Sequence, residues 1–153
     1  MMRWESFPHR TRSCLKEAGW RPRRRVSLEA IISDLKSQGY EPPTAVVEFL
    51  GSFGGLLLIY PHYKVPTALD QCHFDAAGAA RGVFRGLVGK WAARVGSELC
   101  PIGQAFHDHM TLTMTETGSV YAGFDDTLSF VAPSGIKAVE ALCEGYPLHE
   151  VSP

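Results

Sequence analysis

The chain has 153 residues, 45% of them hydrophobic, with three Trp, eight Phe and a formal net charge of −1, which suits one domain with one core. It holds no apolar run long enough for a helical membrane span, and Met1 to Arg12 is too polar and basic for a signal peptide, so a cytoplasmic protein is expected. Residues 1–25 carry eight basic and two acidic groups while residues 26–153 carry seven basic and fourteen acidic, so the body repels nucleic acid and attracts a basic partner.

Phe7 to Ala18 reads as a first helix, with Cys14, Leu15 and Ala18 on one face, Gly19 at its C′ position and Trp20 packing back on it. Pro22 stops any continuation, so Arg21 to Val26 is an extended connection whose arginines point partly outward. Ser27 is the expected cap of a second helix, because Leu28, Ile31, Ile32 and Leu35 recur at helical spacing before Gly39. Thr44 is the expected cap of a third, which buries Val46, Val47, Phe49, Leu50 and Phe53.

Gly54 and Gly55 end that helix at once, and the following residues to Tyr60 form a strand. Pro61 to Ala77, with its prolines and mixed polarity, reads as a loop holding a short edge strand near Tyr63. Ala79 to Arg94 reads as one helix carrying Val83, Phe84, Leu87, Val88 and Trp91 inward. Strands are expected at Met110 to Thr115, Val120 to Ala122 and Leu128 to Val131, joined by turns at Glu116 to Ser119 and at Asp125-Asp126, with Cys100 to Gly103 as a strand or turn before them. Ser134 caps a last helix through Cys143.

Helices at both ends of the chain around a group of strands indicate an α+β fold, a central mostly antiparallel sheet flanked by N-terminal and C-terminal helices. One domain over residues 1–153 is expected, with residues 1–6 and 150–153 as tails. Cys14, Cys72, Cys100 and Cys143 form no Cys-x-x-Cys pair and read as buried free thiols.

Few constellations carry chemistry. His107 and His109, two apart on a strand, would share a face and could hold a metal for hydrolysis, but a third ligand would have to come from His62, His73 or Cys72. Cys72 with His73 and Asp75 has the residue types of a thiol nucleophile without the spatial arrangement that activates one. Arg21 to Arg25 beside Trp20 is the simplest nucleic-acid feature, opposed by the acidic body. Gly54-Gly55 and the glycines from Gly78 to Gly89 match no phosphate-binding motif.

Several segments together resemble the third subfamily of the SUKH superfamily, the Smi1/Knr4-related immunity proteins that accompany bacterial polymorphic toxins. Ala18-Gly19-Trp20 with Pro22, Arg24 and Val26 resembles the family's opening motif, with Arg23 where a Gly is usual. Phe49-Leu50 with Phe53-Gly54-Gly55-Leu56 is similar to its FL-x-x-FGGL segment. Leu99 with Pro101-Ile102-Gly103 resembles its L-x-PIG turn, and Gly118 with Val120-Tyr121 and the final Ala141-Leu142 before Gly145 follow its order.

The resemblance implies a SUKH-like α+β domain that needs no cofactor and performs no enzymatic step. It implies binding, inside the producing cell, to a cognate toxin domain, often a nuclease or another nucleic-acid-modifying domain, with no direct contact to nucleic acid or membrane. An acidic body suits such a partner. Tyr60, Tyr63, Asp70, Asp75, Glu116, Asp125 and Asp126 are the candidate toxin contacts, expected in loops, turns or exposed strand ends, although no family motif assigns them. A regulatory or scaffolding module and a metal-dependent hydrolase using His107 and His109 are the alternatives, and the oligomeric state is left open.

Overall fold

A computed structural model describes residues 3–153. Helix α1 (His9–Ala18) stops at Gly19, whose φ of 91° favours glycine, and the Trp20 ring then meets Phe7 edge-on at 5.7 Å. Helix α2 (Glu29–Ser37) begins one residue later than the Ser27 cap requires. Leu28 occupies the cap position without a side-chain bond, and only Leu35 of the helix is fully buried. Helix α3 (Thr44–Phe53) includes Thr44 as its first residue rather than as its cap, and buries Phe49, Leu50 and Phe53 while Val47 stays half-buried.

The sheet is an antiparallel meander in which neighbours follow chain order: β1 (Leu57–Pro61), β2 (Leu69–His73), β3 (Cys100–Ala105), β4 (Met110–Met114), β5 (Val120–Phe124), β6 (Thr127–Ala132) and β7 (His149–Glu150). The α+β architecture is therefore the one the sequence indicates, with helices flanking the sheet. The free edge of β1 is blunted because Arg10 donates to the Pro61 carbonyl and the Cys14 thiol to the Ile59 carbonyl at 3.4 Å.

Strand β2 lies where a loop is expected, and Tyr63 lies in the turn before it. The alternation is present, since Asp70 and Cys72 point inward, but a carboxylate in an inward position masks it. The helix expected over Ala79 to Arg94 is two helices, α4 (Ala76–Gly82) and α5 (Arg85–Val95). Asp75 caps α4 by accepting from Gly78 N at 3.0 Å, and the backbone leaves helical geometry at Val83 and Phe84. The break lets α4 press its alanines on β3 while α5 lays Trp91 over Gly123 of β5, where a Cβ would stand 2.6 Å from the ring. Phe84, expected inward, is left exposed.

Pro101-Ile102-Gly103 is not a turn but the start of β3, with a register shift between Pro101 and Gly103. Gly103 is required there because a Cβ would strike the His73 carbonyl. At the far end, helix α6 (Gly135–Glu144) is capped by the Ser134 hydroxyl, which accepts from Lys137 N at 3.2 Å. Of the residues expected as a C-terminal tail, Glu150 instead joins His149 in β7 beside β6, and Val151 N donates to Leu128 O at 2.7 Å. Near the start, Trp4 packs edge-on to Trp20 at 5.1 Å; Met1 and Met2 of the expected N-terminal tail lie outside the described residues.

Gly54 and Gly55 serve different ends. Gly55 has a φ of 81°, whereas Gly54 has an ordinary φ of −56° but sits so close to α3 that a Cβ would be 2.5 Å from the Leu50 carbonyl oxygen. Gly54→Ala is thus expected to lower stability by about 2 kcal/mol or more through the clash, and Gly55→Ala by about 1–2 kcal/mol through left-handed strain. Gly82→Ala, where a Cβ meets nothing within 4 Å, is expected to change stability by less than about 1 kcal/mol. Urea unfolding of the three variants checks the order.

Candidate functional site

In an antiparallel meander β1, β3 and β5 run the same way, so the turns that follow them gather at one end of the sheet. That end holds the β1–β2 loop with Tyr63, the β3–β4 turn with His107 to His109, and the β5–β6 turn with Asp125 and Asp126. The C-terminal end of α6 joins them, close enough that a Cβ on Gly145 would strike Tyr63. Between these segments lies a groove of about 710 Å³, with Tyr60, Asp70, Met110 and Leu142 among its lining and Tyr63 and Tyr146 exposed.

The structure brings five of the seven candidate contacts to this end and separates two. Tyr60 and Asp70 are directly paired across β1 and β2 and are both 4% exposed, so they line the groove as buried strand residues instead of standing on loops. Burial raises the Tyr60 phenol far above its usual pKa and keeps it a neutral hydroxyl. Asp125 and Asp126 are exposed in a turn fixed from below, where Trp91 Nε1 donates to Asp125 O at 2.9 Å and Arg94 to Asp126 O at 2.7 Å.

Asp75 and Glu116 lie at the opposite end, beyond the start of α4 and in the β4–β5 turn. Asp75 is occupied as the α4 cap. Glu116 borders a smaller cleft of about 380 Å³ with Glu41 and Glu98, over which Arg85 stacks on Tyr40 at 4.5 Å.

The His107-Asp108-His109 segment is not a strand. Phe106, His107 and Asp108 take φ of 56°, 55° and 65°, a left-handed turn of three successive non-glycine residues. Side chains hold it down: the His107 ring donates to Leu69 O at 3.0 Å, and His73 Nε2 lies 3.1 Å from Asp108 Oδ1. His109 stacks on Phe124 at 4.2 Å, so the two imidazoles have separate partners, and among the described residues no group of three His, Cys, Asp or Glu is arranged to hold a metal.

Cys72 and His73 point to opposite faces of β2. The thiol is buried, which raises its pKa well above the usual value, while His73 reaches Gln104 at 3.1 Å. Arg24 is the one residue of the basic run that turns inward, donating to Ser52 O at 2.6 Å and Gly54 O at 2.9 Å, whereas Arg21, Arg23 and Arg25 are exposed. Sequence reasoning missed Tyr146, whose place beside Tyr63 depends on how far α6 runs past β1.

Residues 7–145 match the family model described as SUKH-3 immunity protein, and the chain belongs to that family. No curated protein and no solved structure matches it. Membership makes it a non-enzymatic immunity protein of a polymorphic toxin system, with a cognate toxin as partner.

Two outcomes follow from the geometry of the thiols and imidazoles. In the native protein a thiol-specific reagent at about pH 8 is expected to leave Cys72 unlabelled, since burial disfavours its thiolate, and to label it after unfolding. Elemental analysis of purified protein is expected to give no stoichiometric transition metal, and the same result for His107→Ala.

Proposed function

We propose that this immunity protein neutralises a nucleic-acid-modifying toxin, most simply a nuclease, by covering its basic cleft in the cytoplasm of the producing cell. Residues 1–153 act as one domain in this reading, without a cofactor and without touching nucleic acid directly. The toxin meets the end of the sheet that carries Tyr60, Tyr63, Asp70, Asp125 and Asp126. The observation that carries the proposal is that one end of the sheet holds both a groove with exposed tyrosines over the buried Asp70 and the exposed Asp125-Asp126 turn, on a body with seven basic and fourteen acidic residues after position 25.

Aromatic side chains at the centre of an interface supply apolar area with few rotatable bonds, and the surrounding carboxylates steer a cationic partner during encounter. A stable complex would bury roughly 1,200–2,000 Å² in total, more than the groove alone offers, so the turn with Asp125 and Asp126 belongs to the same footprint. Asp75 and Glu116, at the opposite end, fall outside it.

The test is co-expression with a nucleic-acid-modifying toxin domain, taken first from genes neighbouring this one in the producing cell. Neutralisation and a complex detectable below micromolar concentration are expected; persistent toxicity with no complex at that concentration overturns the proposal. For the purified pair, the association rate is expected to fall as ionic strength rises. The double variant Asp125→Asn, Asp126→Asn should slow association several-fold while changing dissociation little, and a rate insensitive to salt would count against steering.

A further inference from the structure

Two polar groups in the groove are left without the partners that buried groups normally have. The Tyr60 hydroxyl is buried beside the weakly bonding Cys72 thiol and, among the described residues, has no nitrogen or oxygen partner. Among the described residues its cross-strand neighbour Asp70, equally buried, accepts only from its own neighbour Gln71 N at 2.8 Å, and the one cation-forming group within 4 Å is His107 Nε2 at 3.9 Å. No Arg or Lys pairs with Asp70 among the described residues. Buried carboxylates are ordinarily matched by a cation or several donors, and a buried hydroxyl ordinarily finds at least one partner.

We infer that the groove is a receptor for a single arginine side chain of the toxin, whose guanidinium donates to the Asp70 carboxylate and the Tyr60 hydroxyl. The inference rests on the toxin-binding reading above and names the chemistry of its central contact. Two acceptors on adjacent strands suit the planar fork of a guanidinium better than the point charge of an ammonium. Tyr63 and Tyr146, about half exposed at 53% and 48%, flank the path of the alkyl stem. The Tyr60 phenol stays neutral, so the charge that meets the guanidinium is that of Asp70 alone.

The probe is N-acetyl-L-arginine methylamide, titrated into ¹⁵N-labelled protein and compared with the citrulline analogue, which keeps the shape and loses the charge. Arginine is expected to shift the amides of Tyr60, Tyr63, Asp70 and Tyr146, citrulline is not, and the response is expected to vanish in Asp70→Asn and weaken in Tyr60→Phe. Both substitutions preserve volume, and an unchanged spectrum elsewhere shows that each variant is folded. No arginine response, an equal response to citrulline, shifts confined to another surface, or an unaltered response in Asp70→Asn overturns the inference.

With the toxin itself, Asp70→Asn is expected to weaken the complex by roughly 30-fold or more and Tyr60→Phe by about fivefold. If the unaltered protein neutralises the toxin and Asp70→Asn binds it equally well, the arginine receptor is wrong while the immunity reading stands. If the unaltered protein does not neutralise it, the proposed pairing with that toxin fails whatever the arginine titration shows.

Discussion

The C-terminal end of α3 is the joint on which the rest of the fold depends. A helix end leaves carbonyls without partners, and here they are buried, so something other than water must satisfy them. Arg24 does so for Ser52 and Gly54, Val26 N donates to Gly51 O at 2.9 Å, and Trp20 Nε1 donates to Ser52 Oγ at 3.1 Å. The Trp20 ring stacks on Phe53 at 5.2 Å, and Phe53 in turn stacks on Phe49 at 5.0 Å. The two most recognisable segments of the chain, Gly19-Trp20 with Arg24 and Phe53-Gly54-Gly55, are therefore two sides of one contact. Arg23 faces solvent between them and so departs from the family pattern without disturbing the bonds.

From that joint the chain can only leave as β1, and the direction of β1 sets the direction of every other strand in the meander. The start of β3 with Pro101 to Gly103 and the β4–β5 turn with Gly118 accordingly fall at the same end as the joint. The turns after β1, β3 and β5 fall at the other end, where the groove lies. Of the motif residues only Ala141, Leu142 and Gly145 reach that far end, because α6 spans the sheet from Ser134 to Tyr63. The α3 joint and the groove are thus separated along the strands, so a change in the loops around the groove leaves the joint untouched.

How much of this was legible in the sequence depended on whether each signal was local. Gly19, the Ser134 cap and the apolar alternation of β4 act within a few residues and predicted their elements well. Strand β2 was hidden because Asp70 occupies an inward position, where the alternation of a half-buried strand calls for an apolar residue. The split of α4 from α5 was hidden because Val83, Phe84, Leu87 and Val88 keep helical spacing across it, and the reason for the break lies in Trp91 reaching Gly123 of a distant strand. The groove is half legible: Tyr60, Tyr63 and Asp70 are candidate contacts by residue type, but the pairing of Tyr60 with Asp70 requires the register of β1 and β2.

The left-handed turn at Phe106 to Asp108 follows the same logic as the buried Asp70. Three non-glycine residues in that region cost about 1–2 kcal/mol each, which local preference alone would avoid. They are kept there by His107 on Leu69 and by His73 on Asp108, so the wall of the groove is set by bonds reaching back to β2 and is not left to choose its own conformation. A wall fixed in this way loses little entropy when a partner docks, and Phe106 and Met110 are already in place beside Tyr60. The strained turn and Asp70 thus lie side by side at one groove, His107 Nε2 standing 3.9 Å from the Asp70 carboxylate, at the end of the sheet away from the α3 joint.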